Sequence, residues 1–273
     1  MTINCKGTLI DLSTPKVMGI LNITPDSFYD GGKYKNEKDI LTQVEKMLSE
    51  GATFIDIGAY SSRPGAVHIS EEEELQRIVS IVELLITHFP EIIISIDTFR
   101  SKVAKETIAS GAALINDISG GNMDDKMFTT VAELQVPYIL MHMQGTPQNM
   151  QKNPNYKNIT TDLISFFAEK LFELHRLKVN DVIIDVGFGF GKTIEHNYQL
   201  LKQLDLFKSL DAPILTGVSR KSMLYKLLDI TPKDALNATT AANTIALLNG
   251  TQILRVHDVK EAMEAVRITE MVK

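Results

Sequence analysis

The chain has 273 residues, 44% of them hydrophobic, with a formal net charge of −6, which is enough to bury one large core and is the composition of a globular protein. The acidic balance argues against a general nucleic-acid surface, and no apolar stretch approaches the length of a bilayer span. A lone cysteine, Cys5, leaves no internal disulfide, and with no basic-then-apolar leader in residues 1–6 it points to the reducing cytoplasm.

In chain order, residues 3–12, with Lys6-Gly7 at their middle, read as a hairpin able to close the bottom of a barrel. Short runs rich in Val and Ile follow at 17–21, 53–57, 92–96, 113–115, 138–141, 182–184, 213–216 and 252–254. These eight read as strands. Helical spacing fills the gaps, first through Ile40, Leu41, Val44, Met47 and Leu48, then most clearly through Leu75, Ile78, Val79, Val82, Leu85 and Ile86. The last helix shows Val259, Ala262, Met263 and Val266. Ser70 with Glu73, and Asp258 with Glu261, fit capping boxes. The run Glu71-Glu72-Glu73-Glu74 fits a helix N-terminus, where the dipole favours negative charge, better than a metal cluster. Strand and helix alternating eight times predict an α/β TIM barrel with an N-terminal β-hairpin, one domain over 1–273; an open doubly wound sheet is the alternative.

A barrel puts its working groups at the C-terminal ends of strands or just beyond them. Asn22, Arg63, Asp97, Asn116, Asp185, Lys221, Arg255 and His257 all fall there. Singly, Asp97 could cap a helix and Asn116 could satisfy a turn; together the eight mark one end of one fold. Asp56 lies inside the second strand and is expected to make an internal polar contact. Lys221, Arg255 and His257 follow strands seven and eight, the usual phosphate position in this fold, and Arg63 can join them from the second loop. An anionic substrate group follows. Carboxylates accept paired N–H donors well, so Asp97 and Asp185, with Asn116, suit a flat ring with an amino-amidine edge, such as a pterin.

The glycine-rich stretch Gly187-Phe188-Gly189-Phe190-Gly191-Lys192 fits neither the Walker A spacing, since position 186 is Val, nor the dinucleotide spacing. It reads as a turn with room for a flat ligand, Phe190 being the better candidate than Phe188 to line it. The loops at 23–36 and 142–159 are long enough to be expected as mobile lids. His142 has no second His or Cys at ligand spacing, so zinc is not expected.

Several motifs occur in one order: residues 22–32 (Asn-Ile-Thr-Pro-Asp-Ser-Phe-Tyr-Asp-Gly-Gly), Ser61-Ser62-Arg63-Pro64-Gly65, Met141-His142-Met143-Gln144-Gly145-Thr146-Pro147, the glycine-rich stretch, Ser219-Arg220-Lys221-Ser222, and Arg255-Val256-His257-Asp258. Over nearly the whole length the chain resembles the dihydropteroate synthases of the folate pathway. That resemblance implies a TIM-barrel transferase, typically a homodimer, joining 6-hydroxymethyl-7,8-dihydropterin diphosphate to 4-aminobenzoate with Mg²⁺ and releasing diphosphate. Its partners would be small molecules, with no nucleic acid or membrane involved, and sulfonamides would compete for the aminobenzoate site. It implies that Asn22 helps hold the metal and that Ser62, Arg63, Arg255 and His257 meet the diphosphate. Asp97, Asn116, Asp185 and Lys221 would hold the pterin, Lys221 on its carbonyl side, while Phe28, Pro64, Phe190 and Ser219 would lie near the arene. Asp97, Lys221 and Arg255 would carry the catalysis, by an SN1-like path in which diphosphate leaves first.

Two positions depart from the family pattern. Tyr60-Ser61-Ser62-Arg63 stands where Glu-Ser-Thr-Arg is usual, and Val186 where Pro is frequent. Two other readings stay open. A corrinoid-type pterin methyltransferase would not need the 22–32 loop or the anion groups of the last two strands. An inert pterin-binding protein would be expected to lack a catalytic residue, and none is missing.

Overall fold

The computed structural model describes residues 1–23, 33–60, 69–150 and 154–272, with side chains from 37 onward in the second stretch. Lys6 and Gly7 both take left-handed backbone, φ 53° and 82°, and this tight turn folds β1 (Thr2–Cys5) antiparallel onto β2 (Thr8–Asp11). The chain then runs through β3 (Lys16–Asn22), β4 (Phe54–Gly58), β5 (Ile94–Asp97), β6 (Leu114–Asp117), β7 (Tyr138–Met141), β8 (Val182–Asp185), β9 (Ile214–Thr216) and β10 (Ile253–Val256). These eight form a closed parallel barrel in which β10 pairs with β3. Closure removes the open sheet as an alternative. Around it stand α1 (Lys33–Ser49), α2 (Glu71–His88), α3 (Ser101–Ala109), α4 (Met127–Leu134), α5 (Ile159–Arg176), α6 (Ile194–Lys202), α7 (Ser222–Tyr225), α8 (Leu236–Leu248) and α9 (Val259–Glu270). Among the described residues no helix is long and apolar enough to cross a membrane.

Successive side chains on a strand point to opposite faces, and the barrel uses both. Val17, Ile55, Ile57, Ile94, Ile96, Ile115, Leu140, Ile184, Ile214 and Leu254 pack outward in one core with the helices. Met18, Phe54, Leu114, Ile139, Ile183, Leu215 and Ile253 form a second core with Ile3, Cys5 and Leu12 of the hairpin. The hairpin therefore plugs the bottom of the barrel. Asn4 N donates to Asp181 Oδ2 at 3.1 Å, and Lys6 Nζ to the Gly111 carbonyl at 3.1 Å, fastening it there. Two residues further along the same inward tracks the apolar side chains give way to polar ones, among them Asp56, Asn116, Asp185 and Arg255. One alternation thus supplies both the sealed floor and the working end.

The expected helix stripes are buried: Ile40, Val44 and Met47 in α1, Ile78, Val82 and Leu85 in α2, and Val259, Ala262 and Val266 in α9. The capping boxes fare differently. Ser70 does accept from Glu73 N at 3.1 Å, but the Glu73 carboxylate takes Arg77 one turn on instead of reaching back. Asp258 caps nothing with its side chain, because both its oxygens are taken at 2.9 Å by the Nε and Nη2 of Arg220. A bidentate charged pair outcompetes a single bond to a backbone amide. The acidic run does head α2, yet Glu74 is fully buried and accepts from Thr98 Oγ1 at 2.7 Å and Arg100 Nη1 at 2.5 Å.

Gly187, just after β8, has φ +68°, and a Cβ there would lie 2.1 Å from the His142 carbonyl oxygen. Gly7 has φ +82° and nothing within 4 Å of such a Cβ. Gly7→Ala should lose only the left-handed penalty, about 1 kcal/mol, whereas Gly187→Ala should lose about 1–3 kcal/mol more through overpacking against backbone. Denaturant midpoints of the two variants check this, and equal shifts would refute it.

Candidate active site

A carboxylate inside a barrel needs donors, and Asp56, fully buried on β4, has three. Ser95 Oγ donates to Oδ1 at 2.5 Å, while Arg255 Nε at 2.6 Å and Asn116 Nδ2 at 3.1 Å donate to Oδ2. Arg255 Nη2 then donates to Asp97 Oδ2 at 2.9 Å. One guanidinium on β10 is thereby shared between carboxylates on β4 and β5, and only 19% of its side chain is exposed. Burial pushes the Asp97 carboxyl up to about 7, Arg255 opposing and Asp56 reinforcing. Burial also pulls on Arg255, but Asp56 and Asp97 more than offset it, so its pKa is raised and it stays charged.

The other half of the site converges on Gly217, the residue after β9. A Cβ there would lie 3.8 Å from Arg255 Cβ, 3.9 Å from Lys221 Nζ and 4.0 Å from Asp185 Oδ2. Its absence leaves an open floor between a lysine and a carboxylate. Asp185 Oδ1 accepts from Gly187 N at 2.8 Å, and burial raises the pKa of this carboxyl against the opposing pull of Lys221. Burial pushes the Lys221 ammonium down to about 8, with Asp185 opposing and Arg255 adding. That ammonium donates to the Phe188 carbonyl and sits 4.8 Å from the centroid of the Phe190 ring. Phe188 itself is wholly in the core while Phe190 is half-buried at the site, as the sequence suggests.

The last two loops are tied together. Ser219 Oγ and His257 Nδ1 are 3.0 Å apart, and His257 N donates to Ser219 Oγ at 3.2 Å. Arg220, with φ 55°, turns away from the site: besides Asp258, it donates to the carbonyls of Pro232 at 3.0 Å and Lys233 at 2.7 Å. It acts as a strut beneath Lys221 and His257. On β3, the strand next to β10, Asn22 ends the strand in register with Gly58, whose Cα abuts Asp97: a Cβ on Gly58 would lie 3.3 Å from Asp97 Cβ.

Of the residues singled out from sequence, Asn116 and Arg255 meet on Asp56 and Arg255 joins Asp97 to them; Asp185 and Lys221 meet around Gly217, with Phe190 beside Lys221; Ser219 meets His257; and Asn22 pairs with Gly58. Phe28, Ser62, Arg63 and Pro64 lie outside the described residues. Asp56 is indeed an internal contact, but one that holds two site residues, Asn116 and Arg255, a role its place in the second strand did not by itself reveal. Its signal was parity: it shares the inward track of Phe54 and Gly58, where a charge demands a counter-ion. The 142–159 loop is, in its described part, pinned more than a lid would be. Gln144 and Asn155 exchange bonds of 3.2 and 3.1 Å, and the Tyr156 hydroxyl donates to the Gly191 carbonyl at 2.7 Å. At the two departures from pattern, the Tyr60 hydroxyl accepts from Gln148 Nε2 at 2.9 Å and its ring stands edge-on to Phe99 at 5.0 Å, while Val186 is core.

The family described as "Pterin binding enzyme" matches residues 18–257, which run from β3 to the His257 turn. The chain is 42% identical over 272 residues to the dihydropteroate synthase of Escherichia coli (strain K12), covering 99% of this chain and 96% of that protein. It is 42% identical over 270 residues to that of Haemophilus influenzae, covering 98% of each. The structure of Yersinia pestis dihydropteroate synthase with a sulfonamide drug complex superposes with a TM-score of 0.93 at 44% identity, covering 100% of this chain and 99% of that one. Fold, strand-end chemistry and near-complete alignment agree, and the chain belongs to the pterin-binding enzyme family, among its dihydropteroate synthases.

Proposed function

We propose that the open end of this barrel condenses 6-hydroxymethyl-7,8-dihydropterin diphosphate with 4-aminobenzoate, the dihydropteroate synthase step of folate biosynthesis, with 1–273 acting as one domain. The observation that carries this reading is the convergence of Asp185 Oδ2 and Lys221 Nζ on Gly217, beside the carboxylate pair pinned by Arg255. A flat heterocycle over that glycine can donate N–H bonds to Asp97 and Asp185, engage the Asn116 amide, and accept from Lys221 at its carbonyl. Arg255 commits two N–H groups to Asp56 and Asp97 out of the roughly five a guanidinium carries, which leaves donors for diphosphate together with His257, Ser62 and Arg63. Phe190, Ser219, Phe28 and Pro64 are assigned to the arene, the place where sulfonamides would compete.

In the SN1-like path the bond from the pterin methylene to the diphosphate oxygen breaks first, and its electrons leave with the diphosphate. The amine lone pair of 4-aminobenzoate then forms the C–N bond, and its proton passes to solvent. No strong base is required. Arg255 and His257 stabilise the leaving anion, and Asp97 faces the cation left behind. Among the described residues no three His, Cys, Asp or Glu form a metal cluster, while Asn22 offers an amide oxygen and has no side-chain hydrogen bond among them. That suits Mg²⁺, which takes most of its oxygens from substrate phosphates and water. When bound it would neutralise charge on the departing diphosphate.

Two copies are expected to pair. Leu227, Leu228, Ile245, Leu248 and Ile268 are more than 40% exposed on or beside α7, α8 and α9, which pack in sequence against each other; apolar surface of this kind favours association. Sedimentation should give twice the mass of 30.4 kDa, and a monomer at micromolar concentration would count against the dimer.

Incubated with pterin diphosphate, 4-aminobenzoate and Mg²⁺, the purified protein should release diphosphate and form dihydropteroate, the latter only when the arylamine is present; pterin binding without product would support an inert binder. Asp97→Asn should keep the fold and slow turnover on the order of a hundredfold, the scale of one preorganised electrostatic partner. Near-normal turnover would remove Asp97 from the mechanism. The pH profile follows from the two shifted groups. Below about 7 Asp97 takes a proton and ceases to accept from the pterin, and above about 8 Lys221 loses its proton and ceases to donate. The kcat/KM for pterin diphosphate should therefore be bell-shaped between them. Lys221→Arg should lower activity but abolish the alkaline limb, since arginine stays charged; persistence of that limb would assign it elsewhere.

A further inference from the structure

The pterin reading leaves one strongly built group unused. Lys192, the last residue of the glycine-rich stretch, is 3% exposed, yet it is a lysine, a residue rarely buried without a purpose. Its Nζ has three acceptors: the Phe190 carbonyl at 2.9 Å, the His142 carbonyl at 3.2 Å and His142 Nδ1 at 3.1 Å. A protonated amine has three protons and no lone pair, so in that state all three bonds are donated and His142 accepts at Nδ1, with its proton on Nε2. Burial agrees, pushing the imidazole down to about 2. It also pulls Lys192 down to about 7, with Asp185 opposing and Lys221 adding. The His142 ring is held edge-on to Phe166 at 4.9 Å, so the acceptor is fixed in place.

These bonds join two loops that glycines bring within reach of each other. Gly187 lets the chain pass against the His142 carbonyl, and a Cβ on Gly191 would lie 2.8 Å from the Gln144 carbonyl oxygen. Phe190 has its backbone oxygen on Lys192 and its ring beside Lys221. We propose that Lys192 is a positioning residue for the pterin site: its ammonium clamps the glycine-rich stretch to the loop after β7 and so holds the Phe190 ring over the Lys221 ammonium. The inference rests on the pterin reading above. Lys192 touches no reacting atom in it, and its effect passes through Phe190, on the arene side, to Lys221, which holds the pterin carbonyl.

The test is a binding cycle. Titrate 6-hydroxymethylpterin onto the full-length wild type, Lys192→Met, Phe190→Ala and the double variant, with unfolding midpoints measured alongside. Lys192→Met should weaken pterin binding about tenfold, as expected for loss of a buried charged donor. In the Phe190→Ala background the same change should cost no more than about twofold, because interacting sites are not additive. A change that merely loosens the fold would multiply in both backgrounds, so multiplied losses, or unaltered binding by Lys192→Met, would overturn the proposal. If Lys192→Met does not fold, His142→Leu removes one acceptor and should give a smaller loss, again absorbed by Phe190→Ala. A wild type that does not bind pterin would instead defeat the functional reading.

Discussion

Arg255 reaches inward from the last strand of the barrel and meets two carboxylates that belong to the second and third. Asp56 and Asp97 could not sit so close in a water-poor interior without it, and with it the three strands are locked at one level of the barrel. Removing Arg255 would leave both carboxylates uncompensated, and breaking a buried ion pair in this way typically costs about 3–5 kcal/mol. The pairing spans 199 residues from Asp56 and 158 from Asp97, so the chain must close its ring before the site exists. The same contact leaves a net negative environment, suited to a ligand that brings N–H donors and to a positive charge that develops during reaction.

The remaining site groups are held by contacts between loops. Ser219 and His257 join the turns after β9 and β10, Arg220 braces both through Asp258, and Lys192 ties the turn after β8 to the one after β7. Each tie uses a charged or hydroxyl group on one loop and an acceptor on the next. The flat-ring floor at Gly217 is therefore bounded by side chains whose own positions are fixed from behind, as preorganised electrostatic catalysis requires.

The barrel was legible because Val and Ile runs alternate with amphipathic helices. Strand ends were less so. The expected runs 92–96, 182–184 and 252–254 stop one or two residues short of Asp97, Asp185 and Val256, because an inward polar residue breaks the apolar pattern while the backbone ladder continues through it. That same break is what made Asp97, Asn116, Asp185 and Arg255 visible as site candidates. Pairings were not legible: nothing local announces that Asp258 would abandon its cap for Arg220, 38 residues away, or that Lys192 would find His142, 50 residues back. Asp56 looked structural, and it is, but its structural partners are the site.

The plug at the other end has a practical side. Cys5 is the chain's one thiol, it is 2% exposed beneath the barrel floor, and burial pushes its pKa up to about 12, so in the folded protein it is neither thiolate nor accessible. Maleimide or methanethiosulfonate reagents would find the native molecule silent. A cysteine placed on any surface loop would then report alone, which lets fluorescent or spin labels follow the catalytic face without first stripping the wild-type sequence of a competing sulfur.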